Sequence, residues 1–478
     1  MPTFAQHKRI NPKWIIEKKR LARQIGCFRA RFAQSVGEGL KRVLSAAVIG
    51  RAIDEHAGPW RERIYGPLVT LQLFMEQVLS PDRSCQDAVA RGLSLRVAQG
   101  ESACSLNTGP YCKARARLKL PFIERLSREV AGQLNAKQPQ QWLWRGRHLK
   151  LADGTTVSMP DTELNQQCYP QNCQQDKGLG FPLARVVGII SLSSGAVLDW
   201  ALGPCEGEGN SETALLWKLA PGLQAGDVLI ADRLFAGYFM LARLKQLGID
   251  VVVQANAKRH IDFRCGKRLG ARDHVVQWQR PQRPPWMDAA TYAQMPETLS
   301  VRELRVGGLH LVTTLLDAKE VSKPQLHELY TQRWNVELDL RSIKSTMQVD
   351  VLRCKTPQMV AKEIAVHLLA YNLVRALMAR AAQGAGILPR QLSFKGALQL
   401  VNAFHDVLRR SPRARLGIMQ AHLLGAMASL KLPHRPGRVE PRAVKRRQKQ
   451  YALLNRPRHT LRAALLKRRA RWAASCLR

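Results

Sequence analysis

Apolar residues between positions 61 and 136 recur three and four residues apart, the period of helices that bury one face. The segment GPLVTLQLFMEQVLS keeps this period and stops before Pro81. Ser84 and Asp87 open the next segment in the manner of a capping box, and PFIERLSREVAGQLNA has proline in its first turn. The pattern predicts that this part of the chain is helical.

Short apolar runs replace that period from residue 147 onward. RHLKLADGTT is predicted to be a strand that ends at Asp153-Gly154, and ARVVGIISLSSGAVLDWALG to be a hairpin that turns at residues 193 to 195. A capped helix, the strand DVLIADRLF ending at Asp232, a helix and the strand DVVVQA follow. This order predicts an α/β sheet with crossover connections. Both aspartates are then placed at carboxyl ends of strands, where ligands gather.

Residues 256 to 316 have turn residues, scattered aromatics and a final strand LHLVTTLLD, which predicts a β-rich insertion. The stretch YTQRWNVELDLRSIKSTM, residues 330 to 347, is predicted to be a helix. A long apolar helix, PQMVAKEIAVHLLAYNLVRALMARAA, comes after it. No internal repeat is found.

The helix predicted for residues 330 to 347 carries two rows of side chains. At about 100° per residue, its apolar stripe spans roughly 60° and its polar row roughly 80°. The stripe consists of Leu329, Val336, Leu340, Ile343 and Met347, and the row of Tyr330, Arg333, Glu337, Arg341 and Lys344. Two interpretations of the row stay open at this point. It is a solvated face with ion pairs four residues apart, or a metal-binding carboxylate flanked by phosphate-binding side chains.

Charge narrows the choice of partners. The chain has 75 Lys and Arg against 36 Asp and Glu, a formal charge of +39, which calls for an anionic partner. Nucleic acid is the first candidate and a membrane surface the second. An apolar run of 18 residues and a signal peptide are both missing from the sequence, which predicts a soluble, cytoplasmic protein.

Basic residues concentrate at the start of the chain and from Arg435 onward, where fifteen Lys and Arg accompany the single acid Glu440. A short helix with Lys113, Arg115 and Arg117 suits a DNA-binding domain, or a plain helical bundle with a solvated basic face. The ten cysteines are scattered without a CxxC pair, which predicts reduced thiols rather than a zinc site.

Two strand-end aspartates and one helical glutamate stand out in this pattern: Asp153, Asp232 and Glu337. Three carboxylates can hold two divalent cations about 4 Å apart, which activate a water or a 3′-OH and stabilise the oxygen that leaves phosphorus. Mg²⁺ suits such a site because it prefers hard oxygen ligands and keeps positions open for phosphate and water. Without metal, carboxylates that converge would repel one another.

The chain resembles the DDE transposases of bacterial insertion sequences, in the family numbered four with the signature Tyr-x2-Arg-x3-Glu-x6-Lys. Tyr330, Arg333, Glu337 and Lys344 match that signature in full. LADGTT and LIADRLF resemble the family's two aspartate motifs, and the resemblance covers roughly residues 60 to 460. Further family-like segments are LVTTLLD, LYTQRWNVEL, EIAVHLLAYNLVR and EPRAVKRRQKQY.

This resemblance implies a ribonuclease H-like catalytic core whose β-rich insertion separates the second aspartate from the glutamate. It implies two Mg²⁺ ions, with Mn²⁺ as a substitute, on Asp153, Asp232 and Glu337. Arg333 and Lys344 would hold phosphates beside the scissile bond, and Tyr330 would hydrogen-bond a backbone phosphate. Arg341 lies outside the signature.

Trp278 and Trp286, in the insertion, are candidates for stacking on an unstacked base at the transposon end. Packing in the core or on the surface is the alternative for both tryptophans. The sequence does not distinguish these roles.

The function implied is a transposase that binds the inverted-repeat ends of double-stranded DNA, hydrolyses a phosphodiester and transfers the 3′-OH into target DNA. Synapsis of two ends implies a homodimer. A ribonuclease H-like nuclease without strand transfer and a non-catalytic DNA-binding regulator are the alternatives. The predicted domains are a basic helical DNA-binding region at 1–140, the first part of the core at 145–255, the insertion at 256–316, the rest of the core with Glu337 at 317–400, and a basic helical C-terminal region at 401–478.

Overall fold

The structure of this chain is a computed structural model that describes residues 21–29, 44–58, 60, 63–207, 209–433 and 454–475. The basic start of the chain, residues 1–20, and most of the basic segment after Arg435, residues 434–453, lie outside the described residues.

Helices and strands alternate from residue 149 to residue 331, between two helical regions. The helices are α1 Ala46–His56, α2 Pro67–Leu79, α3 Cys85–Ala98, α4 Gly109–Arg117, α5 Leu120–Ala136, α6 Glu163–Cys168, α7 Glu212–Leu219, α8 Tyr238–Gln246, α9 Ala289–Gln294, α10 Lys323–Thr331, α11 Trp334–Arg341, α12 Pro357–Gly384, α13 Phe394–Arg410, α14 Arg413–Ser429 and α15 Arg458–Ser475. The strands are β1 Leu149–Ser158, β2 Leu183–Ser191, β3 Val197–Pro204, β4 Val228–Ala231, β5 Asp250–Gln254, β6 Lys267–Gly270, β7 Asp273–Gln279, β8 Thr298–Val306 and β9 Leu309–Thr313.

All nine of these strands form one sheet, in the order β3-β2-β1-β4-β5-β9-β8-β7-β6. β1, β4 and β5 run parallel at its centre, and the hairpin of β2 and β3 extends it antiparallel on one side. The four strands of the insertion extend the same sheet on the other side, because β9 pairs antiparallel with β5. The α/β class is confirmed, and the strands of the predicted insertion are joined to the central sheet edge to edge.

Both faces of the central sheet are buried, which explains why β4 is almost continuously apolar. Val228 and Ile230 face one hydrophobic cluster, together with the long helix α12. Leu229 and Ala231 face a second cluster, which contains residues of α7 and α8. The strand that ends at Asp232 is therefore fixed from both sides.

Helix α12 is the core helix of the fold and packs against α2, α5 and α14. It begins at Pro357, where the Thr356 side chain accepts a hydrogen bond from the Met359 N–H. Among the described residues it is the one helix long and apolar enough to cross a membrane, and 94% of its apolar window is buried inside the fold. Its apolar surface is accounted for by packing within the protein.

The prediction that the first strand ends at Asp153-Gly154 is wrong. β1 continues to Ser158, because residues 153 to 158 pair antiparallel with β2. The parallel pairing with β4 does stop one residue before Asp153, at Ala152 and Ala231. Asp153 thus follows the parallel part of the strand, although the strand itself goes on.

The prediction of one continuous helix over residues 330 to 347 is also wrong. α10 ends at Thr331, a tight turn follows, α11 begins at Trp334, and residues 342 to 346 form a π-helical turn. In the tight turn the Arg333 N–H donates to the Tyr330 carbonyl at 2.9 Å, three residues back, as in a 3₁₀ helix. The angles between side chains that were calculated for one ideal α-helix therefore do not apply to the polar row between Tyr330 and Lys344. The apolar stripe is nevertheless directed inward, since its members Leu329, Val336, Ile343 and Met347 are buried.

Candidate active site

Three carboxylates lie where the central strands end, and we call this group, Asp153, Asp232 and Glu337, the carboxylate edge. Asp153 comes directly after the parallel part of β1, and Asp232 comes directly after β4. Glu337 lies on α11, which packs against β1. Two neighbouring parallel strands bring the aspartates together, as expected for carboxyl ends of such strands.

Asp153 is partly buried, and its Oδ1 accepts a hydrogen bond from the Gly154 N–H at 2.8 Å. Burial raises the pKa of Asp153 to about 6; the negative charges of Asp232 and Glu212 act in the same direction, against the Gly154 hydrogen bond and the Arg333 charge. A carboxylate with a raised pKa at a strand end is a candidate functional group, because its charge is incompletely offset by the protein.

Asp232 also has a local structural role. Its Oδ1 accepts from the Leu234 N–H at 2.8 Å and caps the short turn Arg233–Phe235. That hydrogen bond fixes the orientation of the side chain at the end of β4.

Glu337 forms an ion pair with Arg333, whose Nη2 lies 2.9 Å from Oε1. Burial lowers the pKa of the Arg333 guanidinium, but the hydrogen bond to Glu337 and the charges of Tyr330, Glu337 and Asp153 outweigh it and raise the pKa. Arg333 is therefore a cation within electrostatic reach of two members of the carboxylate edge.

Tyr330 is a largely buried member of the signature. Its hydroxyl lies 3.5 Å from Gln254 Oε1, at the end of β5, the strand beside β4. Burial raises the pKa of Tyr330, which remains a neutral donor at physiological pH.

Lys344 occupies the π-helical turn after α11 and is partly exposed, while Arg341 is exposed. Within the described part of the chain, neither side chain forms an ion pair. Single π turns in α-helices are frequent at functional sites. The turn changes the direction of Lys344 relative to Glu337 from that in a regular helix.

Hard carboxylate oxygens are the donors that Mg²⁺ and Mn²⁺ prefer, so the chemistry of the carboxylate edge fits a divalent cation. The geometry is incomplete: among the described residues, no three acidic, cysteine or histidine side chains meet closely enough to hold a metal ion. Glu337 is bound to Arg333 instead. It has to exchange that partner to join the two aspartates on a metal.

A fourth carboxylate, Glu212, lies beside the carboxylate edge, and the sequence did not single it out. It is in the first turn of α7, after the N-cap Ser211. A Cβ on Gly154 would lie 2.5 Å from the Glu212 Cδ, so a side chain at position 154 would displace the Glu212 carboxyl group. Arg185 pairs with Glu212 at 3.8 Å. In the sequence, Glu212 is only an acidic residue in the first turn of a helix, which is common at helix starts. The sheet topology is needed to show that Glu212 lies beside the carboxylate edge.

The two tryptophans of the insertion differ in exposure. Trp278 is 4% exposed, its Nε1 donates to Glu303 Oε1 at 2.8 Å, and the Arg259 guanidinium lies 3.4 Å from its ring centre. Packing therefore accounts for Trp278, which offers no free face to a base in this structure. Trp286 is 58% exposed and meets Trp217 edge to face at 5.4 Å.

Comparisons with known proteins show which proteins this chain is similar to. Residues 144–373, which include the whole carboxylate edge, match the transposase DDE domain family. The chain is 30% identical over 348 residues to transposase InsG of insertion sequence element IS4 from Escherichia coli strain K12, covering 69% of this chain and 76% of that protein. It is 25% identical over 198 residues to the putative transposase InsZ of the same strain, covering 41% and 62%.

A solved structure, the piggyBac transposase synaptic complex with hairpin DNA, aligns with 86% of each chain at 8% identity and a TM-score of 0.38. The identity to InsG extends over most of both proteins, and divalent-metal dependence is general in the matching domain family. The chain belongs to the DDE transposases of the IS4 family of bacterial insertion sequences.

Proposed function

We propose that this transposase cuts double-stranded DNA at its element's inverted-repeat ends and joins the freed 3′-OH to target DNA, with Asp153, Asp232 and Glu337 as ligands of two Mg²⁺ ions. Mn²⁺ would substitute for Mg²⁺. The observation that carries the proposal is the pair of neighbouring aspartates that directly follow the parallel pairing of β1 and β4, of which Asp153 has a pKa raised to about 6 by burial and by neighbouring carboxylates. A bound cation would offset the crowded negative charge.

When bound, the divalent metal activates the attacking water or 3′-OH and stabilises the leaving oxygen. The chain's own contribution is position. Asp153 and Asp232 are held by hydrogen bonds from Gly154 and Leu234, where the parallel pairing of two strands packed on both faces ends. Rigid strand ends keep the donors in one geometry, which in-line attack at phosphorus requires.

Arg333 and Lys344 are proposed to hold the phosphates next to the scissile bond, and Tyr330 to donate to a backbone phosphate. The ion pair of Arg333 and Glu337 supports an exchange of partners. If Glu337 held a metal, the Arg333 guanidinium would be available to a phosphate, for which its planar donor fork is well matched. Trp286, which keeps an exposed face, stays a candidate for stacking on a base.

Synapsis of two ends needs two catalytic centres, so we propose a homodimer on DNA. An enzyme that acts on a bacterial chromosome works in the cytoplasm, bound to DNA. The charge of +39 supports strong, salt-dependent attraction to the phosphate backbone.

The test is cleavage of a labelled fragment that carries the terminal repeat found beside the gene, with a plasmid as target. The proposal predicts cutting at the end in Mg²⁺ or Mn²⁺, followed by joining to the plasmid. Cutting without joining would indicate a nuclease. Tight binding without cutting, at any concentration of either metal, would indicate a regulator and overturn the proposal.

A further inference from the structure

Asp339 is two residues after Glu337 on α11, but its side chain is 1% exposed and directed into the core. Arg375 Nη2 donates to its Oδ1 at 2.6 Å, and Arg390 Nη2 donates to its Oδ2 at 2.7 Å. The Tyr371 hydroxyl lies 3.4 Å from the same Oδ1. Both carboxylate oxygens are thus held by side chains from outside α11.

These partners tie α11 to the rest of the fold. Arg375 and Tyr371 belong to the core helix α12, and Arg390 belongs to the short turn Pro389–Gln391. Arg390 also donates to the carbonyls of Ser191 and Leu192, at the end of β2. The carboxylate therefore connects the glutamate helix to α12 and to the sheet.

Gly195, in the turn between β2 and β3, makes room for this arrangement. Its φ is 72°, and a Cβ there would lie 2.7 Å from the Arg375 Cζ. The Tyr371 hydroxyl donates to the Gly195 carbonyl at 3.0 Å and accepts from Arg375 Nε at 2.8 Å. A side chain at position 195 would displace the guanidinium that holds Asp339.

The local structure of helix α11 does little to fix the direction of the helix. It is eight residues long, with a tight turn before it and a π-helical turn after it. Helices this short are marginal without tertiary contacts. Apolar contacts of Val336 and Ile343 hold it to the core but allow sliding and rotation, whereas a carboxylate gripped at both oxygens does not.

We infer that Asp339, held by Arg375 and Arg390, is a positioning residue that fixes the direction from which Glu337 approaches the two aspartates. The inference rests on the role proposed for Glu337. A catalytic ligand tolerates displacement of well under about 1 Å. A buried ion pair is a weak source of stability but a strong constraint on geometry, which suits this purpose.

The test uses Arg390→Lys. Lysine keeps the positive charge but lacks the planar guanidinium that donates both to Asp339 and to the carbonyls at the end of β2. The matched control is Arg302→Lys. Arg302 is fully buried, binds Asp273 at 2.6 and 2.8 Å and donates to the Val321 carbonyl, so it has the same kind of partners in the insertion. Asp339→Asn is a second probe, with the expectation of a lower melting temperature because two guanidiniums lose their counter-charge.

Two readouts are measured on the full chain below both melting temperatures. The first is hydrogen exchange of residues 334–346, which needs no catalysis. The second is single-turnover cleavage of an end across a series of Mn²⁺ concentrations, with DNA affinity measured in parallel.

For Arg390→Lys we expect exchange in 334–346 to rise at least about tenfold and the cleavage rate to fall at least about tenfold at unchanged DNA affinity, with partial recovery at high Mn²⁺. For Arg302→Lys we expect faster exchange only in β7, β8 and near Val321, and cleavage within about twofold of wild type.

Unchanged exchange in 334–346 would overturn the inference, and so would faster exchange with full cleavage. An equal loss of cleavage in Arg302→Lys would assign the effect to general stability and overturn it too. If wild type cuts no end, the proposed function fails, but the exchange measurement still decides whether Asp339 fixes α11.

Discussion

Asp273 and Glu303 of the insertion lie on the sheet whose central strands position the two aspartates of the carboxylate edge, but the two groups of acids meet different partners. In the insertion, Asp273 is held at both oxygens by Arg302, at 2.6 and 2.8 Å. Glu303 is 3% exposed and accepts from Arg259 and from Trp278, and it meets His274 Nε2 at 3.1 Å.

At the carboxylate edge, by contrast, Asp153 has more acidic neighbours than cationic ones. Asp153 has Asp232 and Glu212 as charged neighbours, with Arg333 as the opposing cation. Its hydrogen bond comes from the backbone of Gly154, as that of Asp232 comes from Leu234. Buried acids with complete partners stabilise the fold, whereas crowded acids with incomplete partners are the arrangement expected where an external cation binds.

The largest expected effect is at the carboxylate edge. Asp153→Asn, Asp232→Asn and Glu337→Gln should each abolish strand cleavage, because each would remove a proposed metal ligand and add no compensating charge. Binding of an end should stay nearly intact, since affinity comes mainly from phosphate contacts elsewhere. Cleavage and gel-shift assays under the same salt conditions measure both. Any of the three variants that still cuts well does not carry a ligand at that position.

The insertion should respond in the opposite way. Asp273→Asn leaves the buried Arg302 without its counter-charge, which we expect to lower the free energy of unfolding by about 3–5 kcal/mol. Chemical denaturation measures the change. The control is Asp262→Asn in the same insertion, where the partner Arg264 is 89% exposed and little change is expected. An unaltered stability of Asp273→Asn would contradict the structural role of the insertion's acids.

Because the negative charge of Asp153 is incompletely offset, the stability of the fold should depend on pH. Its folded pKa, about 6, is above the ordinary value of 3.8. The folded chain then binds more protons than the unfolded chain between those values, so stability falls as pH rises through this window. About two pKa units correspond to at most about 3 kcal/mol. Without metal, Asp153→Asn should melt at a higher temperature than wild type at pH 7 and at a similar temperature at pH 4. Parallel curves with a constant offset would contradict this assignment.

A smaller effect is expected along the signature row. If Arg333 and Lys344 hold phosphates, Arg333→Gln or Lys344→Gln loses a charge-assisted hydrogen bond of about 1.5–3 kcal/mol, or at least about tenfold in cleavage. Arg341→Gln, the exposed neighbour, should have a small effect, because Arg341 forms no ion pair within the described residues and is not proposed to hold a phosphate. Melting temperatures should change little in all three. Equal, small losses at all three positions would restore the interpretation of a solvated face.

Much of the fold follows from local pattern. The apolar run of β4, the hairpin of β2 and β3 and the helix α12 were predictable, because their periods and turn residues are contained within each segment. The break at Gln332 and Arg333 was not, since no glycine or proline marks it and backbone hydrogen bonds three residues apart form it. The extension of β1 to Ser158 depends on pairing with β2, which is distant in sequence.

Some residues of the candidate site could likewise be predicted from the sequence, and others could not. Asp153, Asp232 and Glu337 could be proposed from strand ends and from the signature spacing. Glu212 and Asp339 could not, because each becomes notable only through partners far along the chain, Gly154 for one and Arg375 and Arg390 for the other. For Trp278 the sequence suggested a role in stacking on a base that its surroundings do not favour. Glu303 and Arg259, which occupy its ring nitrogen and one ring face, could not be identified as its neighbours from the sequence.

The most direct measurement is anomalous scattering from Mn²⁺ in crystals of the transposase bound to an uncut DNA end. We expect Mn²⁺ peaks within about 2.2 Å of carboxylate oxygens of both Asp153 and Asp232, with Glu337 turned from Arg333 towards the metal. We also expect the Arg333 guanidinium on a phosphate of the bound end. Peaks confined to other acids, or an end seated at the carboxylate edge while the Arg333–Glu337 pair persists and no metal is bound there, would contradict this expectation.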